Sequence, residues 1–199
     1  MRHPAVDLYW LPLGAGDASR LVRWSGLAFE AIVARHEDRE SRDLYHSALE
    51  VHLHGARFVI EMAPVWRCGA LERGVVSEGP VGFARLGRSR LFRYEVHCWK
   101  GGVIPDVAEA VDSPVRLSSD RDMAQRVLDL VASFPARTWG RDELQVGEMW
   151  NSNSLTSWLL ATSGHDTADI RPPSGGRAPG WSAGLAVAAR AAVGTPDGR

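Results

Sequence analysis

The hydrophobic pattern of this chain is clearest between Tyr45 and His54, where it has a period of two. The odd positions Tyr45, Ser47, Leu49, Val51 and Leu53 are mostly apolar, and the even positions His46, Ala48, Glu50, His52 and His54 are mostly polar. That alternation predicts a half-buried β-strand. His54-Gly55 suits a two-residue turn, since glycine takes positive φ freely. Phe58, Val59 and Ile60 suit a returning strand. Asp43 to Pro64 is therefore predicted as a β-hairpin in which Leu53 pairs with Ala56, Ala48 with Glu61 and His46 with Ala63. His46 and Glu61 then share a face as diagonal neighbours, about 7 Å apart at Cα. A three-residue loop would put them on opposite faces, because a slip of one residue inverts every side chain.

The same reading extends along the chain. Val6 to Leu13 reads as a first strand stopped by Gly14-Ala15-Gly16, a turn that lacks the glycine spacing and lysine of a phosphate-binding loop. Trp24, Leu27, Ala28, Ala31 and Ile32 recur at helical spacing and predict a helix over about 26–34; residues 36–42 read as a charged, solvated loop. Arg67 to Arg90 is Gly-rich with short apolar pieces, which predicts short strands and turns near a sheet edge. Leu91 to Trp99 alternates again and reads as a half-buried strand ended by Gly101-Gly102. A turn at Ile104-Pro105-Asp106 precedes a short helical piece, Val107 to Val111. Ser118 or Ser119 is expected to cap a helix to about Ser133, with Met123, Val127, Leu130 and Val131 inward. Asn151, Ser152 and Asn153 are good helix starters, Leu155, Trp158, Leu159 and Thr162 form a buried stripe, and Gly164 stops it. Residues 171–184 form a Pro/Gly-rich loop packed on the body and anchored by Trp181. Leu185 to Val193 reads as a last helix and 195–199 as a frayed tail. The expected fold class is α+β: an antiparallel β-sheet packed with a few helices, in a single domain over 1–199.

Composition narrows the function without naming it. With 199 residues the chain can bury a real core. A formal net charge of -1 favours neither nucleic acid nor an anionic membrane surface. No apolar run reaches the roughly 18 residues of a membrane span. The N-terminal stretch is interrupted by Asp7 and Pro12 and does not read as a signal peptide, so a cytoplasmic location is the simplest expectation. Cys68 and Cys98 make neither a disulfide framework nor a four-ligand zinc pattern. The 8 tryptophans sit mostly in apolar periodic contexts, which favours core packing over carbohydrate stacking. No cofactor is implied.

Three segments together resemble the circularly permuted papain-like superfamily, and within it the lecithin–retinol acyltransferase-like branch. Tyr45-His46-Ser47-Ala48-Leu49 is similar to that family's strand-borne histidine and its apolar alternation. Glu61-Met62-Ala63-Pro64 is similar to the second polar strand residue, with Glu where the family usually has His. Asn151-Ser152-Asn153-Ser154-Leu155-Thr156 is similar to the Asn-Cys segment that opens a helix, with Ser152 where the nucleophilic Cys falls. The resemblance implies a permuted papain-like arrangement and a hydrolase or acyltransferase acting on an amide, ester or thioester of a small-molecule, lipid or peptide acyl substrate. It implies Ser152 as nucleophile, His46 as general base and Glu61 as its orienting acid, with Trp150, Asn151 and Asn153 lining the substrate site. The Cys-to-Ser change weakens the activity more than the fold: a thiolate is readily stabilised beside a His at a helix N-terminus, whereas a hydroxyl needs a well-placed base.

Each of these residues also has a plainer use. His46 is equally a sheet-face histidine, Glu61 an exposed carboxylate or an arginine partner, and Ser152 a helix cap. A domain that kept the groove and lost catalysis, as a binding or scaffold module, is the alternative from a different class. A metal site on His52-x-His54 is a second alternative, since alternation puts both imidazoles on one face with Glu50; the hairpin tip offers no closed ligand shell, so no bound metal is expected. Cys98 shares its strand face with Phe92, Tyr94 and Val96 and is expected in the core.

Overall fold

The computed structural model describes residues 3–13, 35, 40, 42–65 and 74–194. The helix expected over 26–34, the turn at 14–16, Cys68 and the tail 195–199 lie outside the described residues.

Strands β1 (Ala5–Pro12), β2 (Tyr45–Leu53), β3 (Ala56–Pro64), β4 (Val75–Pro80), β5 (Arg93–Lys100) and β6 (Val111–Ser118) form a six-stranded sheet in the order β4-β5-β3-β2-β1-β6. The strand pairs are antiparallel. Helices α1 (Arg121–Leu130), α2 (Ser152–Ser163) and α3 (Trp181–Ala192) complete an α+β fold. The hairpin forms with the predicted turn and register as far as Leu49–Ile60, and the expected pairs Ala48–Glu61 and His46–Ala63 lie beyond its ladder. Leu53 pairs with Ala56, and His54 and Gly55 both take positive φ, 51° and 75°. Two left-handed central residues give the turn whose twist matches that of the flanking strands.

The main core lies on the face of β2 that carries Tyr45, Leu49, Val51 and Leu53, against Val127 of α1, Leu155 and Trp158 of α2 and Val187 of α3. A smaller cluster, Leu11, Ala48, Val59 and Ile104, occupies the opposite face beneath the segment after β5. Both faces of β5 are buried in its middle: Tyr94 and Val96 on one side, Glu95 and His97 on the other. The sheet is thus covered on both faces here, where the alternation predicts a half-buried strand.

Several elements depart from the sequence expectation for local reasons. Asp120, not Ser118 or Ser119, caps α1: its carboxylate accepts from the Met123 N–H at 2.8 Å, while Ser118 Oγ accepts from Asp120 N–H. The helical piece after Pro105 is one 3-10 turn, Val107–Glu109, and the chain then enters β6, a strand that Pro114 conceals from propensity. Proline is tolerated there because β6 is an edge strand, pairing with β1 alone. Leu91 and Phe92 belong to a 3-10 turn that precedes β5. The 171–184 loop is shorter than expected, since α3 begins at Trp181, whose ring lies 5.3 Å from that of Trp10. Trp181 anchors the loop as the sequence suggests. Trp10, Trp150 and Trp158 are buried in the core.

Helix α2 is enclosed rather than amphipathic. Ten of its 12 residues are buried, including Ser152, Asn153, Ser154, Thr156 and Ser157. Small residues let α3 approach it closely: a Cβ at Gly184 would meet the Ser157 hydroxyl and the Ser154 carbonyl. Because a helical carbonyl cannot swing aside, Gly184→Ala is expected to destabilise the protein by about 1–3 kcal/mol through overpacking. Urea unfolding measures this, and a loss below about 0.5 kcal/mol, the range of neutral surface changes, would mean that the two helices are not tightly held.

Candidate functional site

The start of α2 is built from side chains that bond inward. Asn151 caps the helix, its Oδ1 accepting from Asn153 N–H at 2.9 Å and its Nδ2 donating to the Pro179 carbonyl at 2.8 Å. Ser154 accepts from Asn151 N–H and donates to the Gly180 carbonyl at 2.8 Å, closing a capping box. Asn153 is the most engaged of the group and is 1% exposed. Its Nδ2 donates to the carbonyls of Tyr45 and Pro179, each at 2.9 Å, and its Oδ1 accepts from the Ser47 hydroxyl at 2.8 Å. Trp150 is 1% exposed and stacks on Phe134 with ring centres 4.9 Å apart. Thus Trp150, Asn151 and Asn153, expected to line a substrate site, are occupied in holding the fold together.

The register locates the proposed triad. Strand β2 pairs with β1 from Tyr45 to His52 without a shift, and β3 runs through its pairings with β2 and β5 without one. Alternation is therefore unbroken, and His46 and Glu61 project from the same face, as the hairpin predicts. That face also carries Leu11, Ala48 and Val59. Tyr45 and Ser47 point the other way, and it is Ser47 that meets Asn153. Helix α2 thus approaches the sheet from the face opposite His46 and Glu61. The structure brings His46 and Glu61 to one side, and Asn153 at the start of α2 bonds to the other. The Ser152 hydroxyl makes no hydrogen bond among the described residues, and Ser152 is 6% exposed.

Strands β2 and β3 also part sooner than a regular hairpin would. Their ladder ends at Leu49–Ile60, before Ala48 and Glu61. Beyond it, the Tyr45 backbone turns to Arg177 and Asn153: Tyr45 N–H donates to the Arg177 carbonyl at 2.8 Å, and Tyr45 C=O accepts from Asn153. Glu61 finds its neighbour on β5 instead, directly paired with His97. His97 Nε2 lies 3.4 Å from Glu95 Oε2, both groups are buried, and the imidazole stands edge-on to Trp99 at 5.7 Å. Sequence reasoning missed His97 as the cross-strand neighbour of Glu61 and Glu95 as the carboxylate beside His97. The readable signal is the repeated Glu-x-His spacing, Glu50-x-His52 and Glu95-x-His97, which places each carboxylate beside its imidazole on one strand face.

The first of those pairs belongs to a chain of charges crossing four strands. Arg116 on β6 forks onto both oxygens of buried Asp7 on β1, with Nη2–Oδ2 at 3.2 Å. Asp7 pairs across the sheet with Glu50. His52 Nε2 meets Glu50 Oε1 at 2.7 Å, and Arg57 Nε lies 3.8 Å from Glu50 Oε2. Two facing carboxylates would repel; here each has its own cation or donor. This consumes His52, while His54 at the turn lies 3.4 Å from Arg121 of α1, which packs on the opposite face. The two imidazoles of His52-x-His54 therefore diverge. Among the described residues no three His, Cys, Asp or Glu side chains converge as metal ligands.

Burial pushes the Cys98 thiol up to about 11, so little thiolate exists at neutral pH. No described helix is long and apolar enough to cross a membrane. No protein-family model, curated protein or solved structure matches the chain. The papain-like resemblance therefore rests on the three segments alone.

Asn153→Ala is expected to cost about 2–4 kcal/mol, because it strands buried partners on β2 and in the 177–180 loop, whereas Ser152→Ala is expected to stay within about 0.5 kcal/mol. Chemical denaturation of the two variants checks this, and equal losses would contradict it. Cys98 is expected to react with a thiol reagent far more slowly in the native protein than after unfolding; fast native labelling would mark it as an accessible nucleophile.

Proposed function

We propose that this chain is a binding or scaffold domain rather than an acyl-transfer enzyme working through Ser152. One observation carries the reading: α2 meets the face of β2 that bears Ser47, while His46 and Glu61 project from the other. A serine needs a base within hydrogen-bond reach to act as a nucleophile. The neighbouring side chains Asn151, Asn153 and Ser154 are engaged by backbone groups of the body, which supports an architectural role for this helix start. The binding surface in this reading is the sheet face at half-buried His46 and Glu61, beside a small apolar cluster and backed by the buried Glu95–His97 pair.

An active-site acyl probe discriminates the two classes. Labelling of wild-type protein is expected to be no greater than that of Ser152→Ala. In Ser152→Cys the new thiol is expected to alkylate no faster than an ordinary cysteine, and adding His46→Ala is expected to change nothing. Labelling that disappears in Ser152→Ala, or a Ser152→Cys thiol whose reactivity depends on His46, would restore the hydrolase or acyltransferase. A ligand found by thermal shift is expected to lose its effect in Glu61→Gln and keep it in Ser152→Ala; the reverse pattern would move the site to the helix.

A further inference from the structure

The C-terminal end of α2 is closed by groups that neither the sheet face nor the helix start uses. Gly164 takes the left-handed conformation, its N–H donates to the Ala161 carbonyl at 3.2 Å, and His165 N–H donates to the Leu160 carbonyl at 2.9 Å. These two bonds form a Schellman cap. Its last residue is ordinarily apolar; here it is a histidine, 8% exposed. The imidazole Nδ1 lies 2.8 Å from Ser163 Oγ, and Ser163 Oγ–H donates to the Leu160 carbonyl at 3.1 Å. Arg126 of α1 donates from Nε to the Ser163 carbonyl at 3.1 Å, tying α1 to the same turn. The other imidazole nitrogen, Nε2, is buried and has no hydrogen-bond partner among the described residues.

We propose that this cap is a pH-sensitive latch, which holds α1 and the segment 165–170 on the end of α2 while His165 is neutral and releases them when it is protonated. With Ser163 donating to Leu160, Nδ1–H donates to Ser163 Oγ and Nε2 is a lone pair in a buried site. A proton added there creates a charged donor with no acceptor, which is costly in a buried position. Burial holds the imidazole below its usual value; the Leu160 carbonyl opposes this in part, and the Arg126 charge adds to it.

The other charged groups around the cap are directed elsewhere. Asp166 accepts from Ala168 N–H, Asp169 is exposed, and Asp129 of α1 accepts from Gln125. Arg121 of α1 reaches His54, and Asp122 is exposed. Arg190 of α3 donates to the Leu144 carbonyl, and Glu50, His52 and His46 of β2 lie on the far face of the sheet. None of these supplies a carboxylate to a protonated His165.

The sign follows from linkage. Because the folded value is lowered, the latch is fully closed above pH 6.5, the usual histidine value, and weakens as the pH falls toward the lowered one. One proton changes the opening equilibrium by up to about tenfold per pH unit within that window.

Hydrogen exchange of the whole chain, expressed as protection factors at pH 7.5 and 5.0, tests the latch together with an NMR titration of the histidine rings. Protection of the Gly164, His165 and Ile170 amides is expected to fall at low pH in the wild type. In His165→Phe, which fills the site with a ring that cannot titrate, it is expected to hold. Arg126→Gln removes the neighbouring charge and is expected to move the His165 titration upward. A His165 that titrates at or above its usual value, an equal loss of protection in His165→Phe, or a loss spread evenly over the sheet would each overturn the proposal. If His165→Phe does not fold, the ring titration and the Arg126→Gln shift decide alone.

Discussion

The side chain of Asn153 is the constraint on which the arrangement of this protein turns. A buried amide is costly unless its donors and acceptor are met, and Asn153 of α2 meets them with two distant parts of the chain: the Tyr45 carbonyl and the Ser47 hydroxyl of β2, and the Pro179 carbonyl of the late loop. Those bonds fix which face of the sheet α2 takes and how the loop before α3 returns to β2. They also complete the edge of β2. The Tyr45 carbonyl that a continuing hairpin would offer to β3 goes to Asn153, and its N–H goes to Arg177.

From that junction the two halves of the sheet go separate ways. Strand β3 leaves β2 after Ile60 and continues against β5, so Glu61 is set beside His97 rather than delivered to His46 by a continuous ladder. On the other side, β1 and β6 bring Asp7 and Arg116 to Glu50 and His52. The second face of the sheet thus holds two groups of carboxylates and imidazoles, separated by the small cluster of Leu11, Ala48, Val59 and Ile104. Helix α2, whose polar start looks so much like a catalytic one in sequence, lies on the first face and is woven into the core through Ser154, Ser157 and their bonds to the loop and start of α3.

Much of this was open to reading from the residues. Alternation at Tyr45 to His54, with a His-Gly turn behind it, determined the hairpin, its register and the shared face of His46 and Glu61, because a period of two has only two faces and the turn length selects between them. Asn151 before a run of apolar residues and Gly164 after it bounded α2, since capping chemistry is local. What the sequence could not decide was which sheet face α2 would cover. Ser47 and His46 are adjacent, and either could meet a helix; the choice is made by Asn153 contacts more than a hundred positions away, and no local preference records it. The pairing of Glu61 with His97 likewise depends on β5 rather than β2 lying along the end of β3. A strand such as β6, with a proline in its middle, forms because β1 offers it an edge. The elements and their faces follow from short-range chemistry; which faces meet is set by long-range packing, and in this chain that packing sets Asn153 of α2 against Ser47, on the face of β2 opposite His46.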